Sequence, residues 1–133
     1  MSYTLRVLEG AQFIGFIPVA DLAVARTFYV STLELPVLDD SPFALVVDAS
    51  GTSVRITPVG EFTPHPFTIA GWDVPDIDAT IAVLDDRGVV FNRYDGMGRR
   101  ANGVWEAPSG DLVAWFKDPD GNTLSLTEFT QPS

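Results

Sequence analysis

Over 133 residues the chain alternates strand, helix and several strands, and then does so again, with the two passes matching residue for residue. An offset of 55 lays Val19, Asp21 and Leu22 on Val74, Asp76 and Ile77. An offset of 70 lays 43–48, Phe-Ala-Leu-Val-Val-Asp, on 113–118, Val-Ala-Trp-Phe-Lys-Asp, and Val54 and Ile56 on Leu124 and Leu126. The change of offset implies about fifteen extra residues between the second helix and the strand that follows it. A duplicated β-α-β-β-β unit accounts for all of these coincidences, and the fold class expected is α+β.

The local signals agree. Residues 11–19 read as a buried strand. Asp21 is placed to cap a helix in which Leu22, Ala25, Phe28, Tyr29 and Leu33 recur at helical spacing, and Pro36 discourages its continuation. Strands follow at about 43–48 and 53–58, across the turn Ala49-Ser50-Gly51, with Asp39 and Asp40 in a loop before them. In the second half, 67–74 reads as a strand and Asp76 caps a helix carrying Ile77, Ile81 and Leu84. Gly88 follows its last turn, where a left-handed cap suits glycine. Strands near 104–107, 112–117 and 123–129 complete the unit, the last two joined by the turn Asp118-Pro119-Asp120-Gly121-Asn122. The reading is one domain over 1–133: module one at about 11–59, a linker at about 60–66, and module two at about 67–130.

Composition narrows the function classes. A net charge of −10, from 18 acids against 8 bases, repels phosphate backbones and anionic lipids, so nucleic acid and membrane partners are not expected. No cysteine is present, which removes disulfides and thiolate metal sites. No apolar run approaches the roughly 18–20 residues that span a bilayer, and the first ten residues lack a secretion signal's layout, so a cytoplasmic location is expected. There is no glycine-rich phosphate loop opening a helix, and no nucleophile elbow to which His65, the only histidine, could belong.

The paired modules, the Val-x-Asp-Leu helix entry and the run WFKDPDGNTLSLTEF at 115–129 resemble the vicinal oxygen chelate superfamily, over about residues 11–130. That group includes glyoxalase I, extradiol dioxygenases, fosfomycin-resistance enzymes and bleomycin-resistance proteins. The resemblance implies two tandem modules whose curled mixed sheets enclose a central cavity, and a homodimer. It also implies where a metal would be held: seven residues before each helix-capping Asp, and four residues after each turn glycine. Those positions are Ile14, Ile69, Arg55 and Ser125. Two isoleucines, an arginine and a serine cannot chelate a divalent cation, which needs carboxylate, imidazole or thiolate donors. Glu128 has the opposite strand parity to Ser125 and should face away from the cavity, while Gln12 is a lone candidate at a strand end. No metal and no cofactor are expected, and no catalytic residue is identified.

Strand alternation supplies a binding surface instead. If Arg55 and Ser125 face inward, Thr57 and Thr127 do too, with Ile14, Phe16 and Ile69 as an apolar floor. Arg55 could grip a carboxylate or phosphate in a two-pronged contact, or it could pair with Asp73. The segment 93–103, carrying Arg93, Arg99 and Arg100, could form a basic lid, and Trp72, Trp105, Trp115 and Tyr94 could stack on an aromatic ligand. The expected ligand-binding set is therefore Ile14, Phe16, Arg55, Thr57, Ile69, Ser125, Arg99 and Arg100. The function expected is a metal-free protein that sequesters or carries a small, partly apolar molecule, with an anionic group as one option for it. Lyase or isomerase chemistry on the same scaffold, metal-free or with an atypical metal, and a protein-interaction module stay open as alternatives.

Overall fold

A computed structural model describes residues 6–93 and 100–130. Each module opens with a strand that runs into a capped helix. In module one, β1 (Ile14–Val19) leads to α1 (Leu22–Arg26), where the Asp21 carboxylate accepts hydrogen bonds from the backbone N–H groups of Ala23 and Val24. The helix does not end at Arg26. It widens into a π-helical turn over Thr27–Thr32, closed by the Leu33 N–H donating to the Phe28 carbonyl. Then come β2 (Val37–Asp40), β3 (Leu45–Ala49) and β4 (Thr52–Pro58). Module two repeats the order with β5 (Thr68–Asp73), α2 (Ile77–Asp86), β6 (Trp105–Glu106), β7 (Leu112–Lys117) and β8 (Thr123–Glu128). No helix among the described residues is long and apolar enough to cross a membrane.

The two sheets have the same topology, β1-β4-β3-β2 and β5-β8-β7-β6. The first and last strands of each module run parallel at one edge, and the remaining pairs are antiparallel. Asp39 and Asp40, expected in a loop, belong to edge strand β2, where Asp40 forms an ion pair with Arg26. All four residues of this strand are exposed, so it carries none of the in–out alternation that marks a half-buried strand.

Glu128 settles the start of α2. Its carboxylate accepts from the Ile77 N–H at 2.9 Å, while Asp76 accepts from Ala79 at 3.1 Å. Two carboxylates thus satisfy the free N–H groups at the positive end of the helix. Replacing Glu128 by alanine is expected to lower stability by about 1 kcal/mol, read as a shift in the urea midpoint with unchanged slope.

One apolar core serves both modules. Ile17, Val19, Leu45, Val47 and Ile56 from the first sheet join Ile77 and Ile81 of α2 and Ala114, Phe116, Leu124 and Leu126 of the second sheet in a single buried cluster. The contacts across it come from the first helix: the Phe28 ring lies 6.4 Å from that of Phe116, on the inner face of β7. Tyr29, fully buried, donates its hydroxyl to the Asp118 carboxylate at 2.6 Å. Asn122 donates to the Pro18 carbonyl at 2.8 Å, and Arg87 to the Thr32 carbonyl at 2.7 Å. The helix-covered faces of the sheets therefore share one interior. Their other faces point away from it, and the sheets do not close around a cavity as the resemblance implied. The reason is local: Phe28 and Tyr29, adjacent on the widened turn, both present apolar rings to the second module, and burying them there draws the helix sides together.

Candidate functional site

Strand register defines two outward rows of related residues. On β1 and β4, Phe16 lies opposite Arg55, and on β5 and β8, Gly71 lies opposite Ser125. The repeat offsets carry Phe16 onto Gly71 and Arg55 onto Ser125, so these rows are the same place in the two modules. Glycine at 71 has a steric cause: a Cβ there would collide with the Ser125 hydroxyl, which lies over the β5 main chain.

Between the edge strands β1 and β5 lies a cavity of about 690 Å³. That volume falls within the roughly 300–1,000 Å³ typical of small-molecule sites. Its rims are five consecutive residues of each edge, Phe13–Ile17 and Ile69–Asp73, and Tyr29, Leu35, Val47 and Val54 line it further in. Three members of the expected set, Ile14, Phe16 and Ile69, meet here. Ile69 arrives by an irregular route. The β5–β8 register shifts between Thr68 and Ala70, so Ile69 occupies a bulge rather than the regular alternation that sequence assumes.

Arg55, Thr57 and Ser125 stand outside the lining, on the neighbouring strands β4 and β8. Arg55 is half-buried beside Phe16 and makes no ion pair or hydrogen bond through its guanidinium with any described residue, Asp73 included. Thr57 turns its hydroxyl back to the Arg55 carbonyl. Arg100 lies elsewhere, pairing with Asp78 at 3.1 Å and Glu106 at 3.6 Å near the start of α2, where both acids answer its charge. Arg99 and Tyr94 lie outside the described residues.

Two aromatic residues take their places by parity. Trp105 and Trp115 share the outward face with Ser125 and Thr127, their rings 6.0 Å apart, and the Trp115 indole donates to the Thr68 hydroxyl at 3.1 Å. Trp72 has the opposite parity and lines the cavity. Alternation along β7 places Trp115 on the Ser125 side, a signal that sequence held and that the expected set left unused.

The residues present do not fit a divalent metal. The four family positions carry Ile14, Arg55, Ile69 and Ser125, and an arginine among them would repel a cation. Glu128 is committed to the α2 N-terminus. His65 is exposed in the linker and stacks on Phe67 with ring centres 5.2 Å apart. Among the described residues no three His, Cys, Asp or Glu side chains gather in one group.

The family model described as Glyoxalase/Bleomycin resistance protein/Dioxygenase superfamily matches residues 10–126. Among solved structures, TnmS3, an antibiotic binding protein from Streptomyces sp. CB03234, is 30% identical with a TM-score of 0.63, over 92% of this chain and 95% of that one. A glyoxalase/bleomycin resistance protein from the same organism is 29% identical with a TM-score of 0.62, over 89% and 100% of the two chains. A superfamily member from Sphaerobacter thermophilus DSM 20745 is 27% identical with a TM-score of 0.66, over 89% and 96%. A comparison with curated proteins finds no match.

Proposed function

We propose that this chain, which belongs to the Glyoxalase/Bleomycin resistance protein/Dioxygenase superfamily, binds a small, partly apolar, anionic molecule without a catalytic metal and sequesters or carries it. One observation carries the reading: an apolar cavity of about 690 Å³ has beside it, one strand in from its rim, the Arg55 guanidinium, which has no ion pair or hydrogen bond among the described residues. A half-buried cation next to Phe16 is only partly solvated, so a carboxylate, sulfonate or phosphate that reaches it gains a charge-assisted, two-pronged contact. The cavity takes the apolar part of the ligand. The likeness to TnmS3, an antibiotic binding protein, supports binding over turnover and leaves the ligand of this chain to experiment.

A homodimer belongs to the same proposal. Phe13, Ile14 and Phe16, close together at the start of one edge strand, are 79%, 46% and 66% exposed, apolar side chains that a second copy would cover. Sedimentation velocity is expected to give twice the chain mass, and a single-chain mass at micromolar concentration would remove this part of the proposal.

The binding test uses 1-anilinonaphthalene-8-sulfonate, an apolar ring system with one anionic group, against its uncharged relative N-phenyl-1-naphthylamine. Arg55→Gln is expected to weaken the sulfonate by about 10- to 100-fold and to leave the neutral probe nearly unchanged. Equal affinities of the sulfonate for both proteins would remove Arg55 from the site. A stoichiometric divalent ion in the purified protein, seen by native mass spectrometry, would overturn the metal-free reading.

A further inference from the structure

A second cavity, of about 270 Å³, adjoins the first. Leu35, Ser50, Trp72 and Asp73 line both, so the two spaces meet at these residues. The inner one lies at the seam between the modules. Leu33 reaches it from the close of the widened turn, and Leu84, Phe116 and Leu126, all buried, reach it from α2, β7 and β8. Folded interiors hold few voids larger than a water molecule, and an apolar space of about 150 Å³ already takes a benzene ring. A larger apolar recess opening off a binding cavity is therefore room for part of a ligand. Its wall offers nothing to an anion. The Thr80 hydroxyl already donates to the Asp76 carbonyl at 2.9 Å, and no arginine, lysine or histidine lines the recess among the described residues. An anionic group placed there would lose water and gain no counter-charge.

The boundary between the two spaces is held in an uncommon backbone conformation. Among the described non-glycine residues only Glu34 and Ser50 are left-handed, with φ of 59° and 53°. Ser50 lines the boundary, and Glu34 directly precedes Leu35. Such conformations persist where surrounding structure enforces them, and they recur at ligand clamps. Here Arg87, at the end of α2, ties the segment to module two by pairing with Glu34 at 2.5 Å and donating to the Thr32 carbonyl at 2.7 Å.

We infer that the ligand is an elongated molecule with an uncharged ring system at one end, which passes Trp72 and seats between the modules against Phe116 and Leu126. The inference rests on the proposed reading of the outer cavity as the binding site and deepens it. The anionic group stays toward Arg55, and an aryl or cycloalkyl end of about one or two rings fills the recess. Leu33 and Val74 then set the permitted length, because each lines the inner cavity and not the outer one.

The experiment compares 4-(biphenyl-4-yl)butanoate with 4-phenylbutanoate, which share a carboxylate and differ by one terminal ring. Calorimetry on the full chain is expected to show the biphenyl acid binding at least about tenfold more tightly. Leu33→Phe and Val74→Phe narrow the recess from opposite modules; each is expected to abolish that preference and to leave phenylbutanoate unchanged. Both should keep urea midpoints at or above that of the wild type, because the new rings enter vacant space, and one folded variant suffices for the comparison. No preference in the wild type, or a preference that survives substitution, overturns the inference. So does a parallel loss of phenylbutanoate binding, or unfolding of both variants, which would mean that the recess is already filled. If neither carboxylate binds while the naphthalene sulfonate does, the elongated class is wrong and the small-molecule reading survives. If none of the three binds, both readings fall.

Discussion

Asp118→Ala is expected to lower the stability of the chain by about 3–5 kcal/mol, enough to leave a protein of ordinary stability partly unfolded. The Asp118 side chain is 4% exposed and serves four donors: the Tyr29 hydroxyl at 2.6 Å, the backbone N–H groups of Asp120 and Asn122, and the Asn122 side-chain amide. Alanine strands all four, three of them in the turn that holds β7 and β8 together and one on the opposite module. Tyr29→Phe removes a single hydrogen bond to a charged group and is expected to cost about 1.5–3 kcal/mol.

The two substitutions differ in their response to alkali. Burial first, then the adjacent Asp118 charge and hydrogen bond, push the Tyr29 phenol well above the ordinary tyrosine range. The folded chain therefore keeps this proton where the unfolded chain, with a phenol near about 10, releases it. By linkage the stabilisation is complete below pH ~10 and declines as pH rises beyond it. The stability gap between wild type and Tyr29→Phe should accordingly shrink above pH ~10, measured by urea titration at successive pH values. A gap that is constant through this range would show that Tyr29 titrates normally in the fold.

Phe116→Ala is the second large effect, at about 3–5 kcal/mol from lost burial and the void left behind. Phe116 is fully buried, and its ring lies 5.3 Å from Phe91 of its own module and 6.4 Å from Phe28 of the other. The void therefore opens at the seam between the modules. Because one core serves both halves, tryptophan fluorescence, which reports module two alone since Trp72, Trp105 and Trp115 all lie there, should fall in a single step with far-ultraviolet circular dichroism. Transitions at different urea concentrations would show that the halves melt separately and that their shared interior is energetically minor.

Much of the architecture could be read from residues alone because its signals are local. Asp21 and Asp76 announce the helices they cap, and the 55 and 70 offsets recover strands that pair in the same order in both modules. What could not be read depends on tertiary context. Val37–Asp40 is exposed throughout, so nothing in its composition distinguishes an edge strand from a loop. The bulge at Ile69 breaks an alternation that sequence can only assume. The packing of helix sides against each other depends on where Phe28 and Phe116 meet, a contact between residues 88 positions apart that no periodicity encodes. For the site, strand parity set Glu128 on the side away from Ser125, where it meets the start of α2, but Arg55, expected to face into the cavity, stands outside its lining, and parity could not choose between a ligand and Asp73 as its partner. The structure shows no Arg55–Asp73 pair.

The back-to-back arrangement of the modules has a consequence for how such a chain changes over generations. Residues on the outward rows, Phe16, Arg55 and Ser125 among them, touch solvent and contribute little to the interior that keeps the chain folded. Their replacement should be tolerated, whereas replacement at Tyr29, Phe116 or Asp118 should not. Selection can therefore try new chemistries on the outside of this scaffold one residue at a time, with the folded state as a nearly constant background.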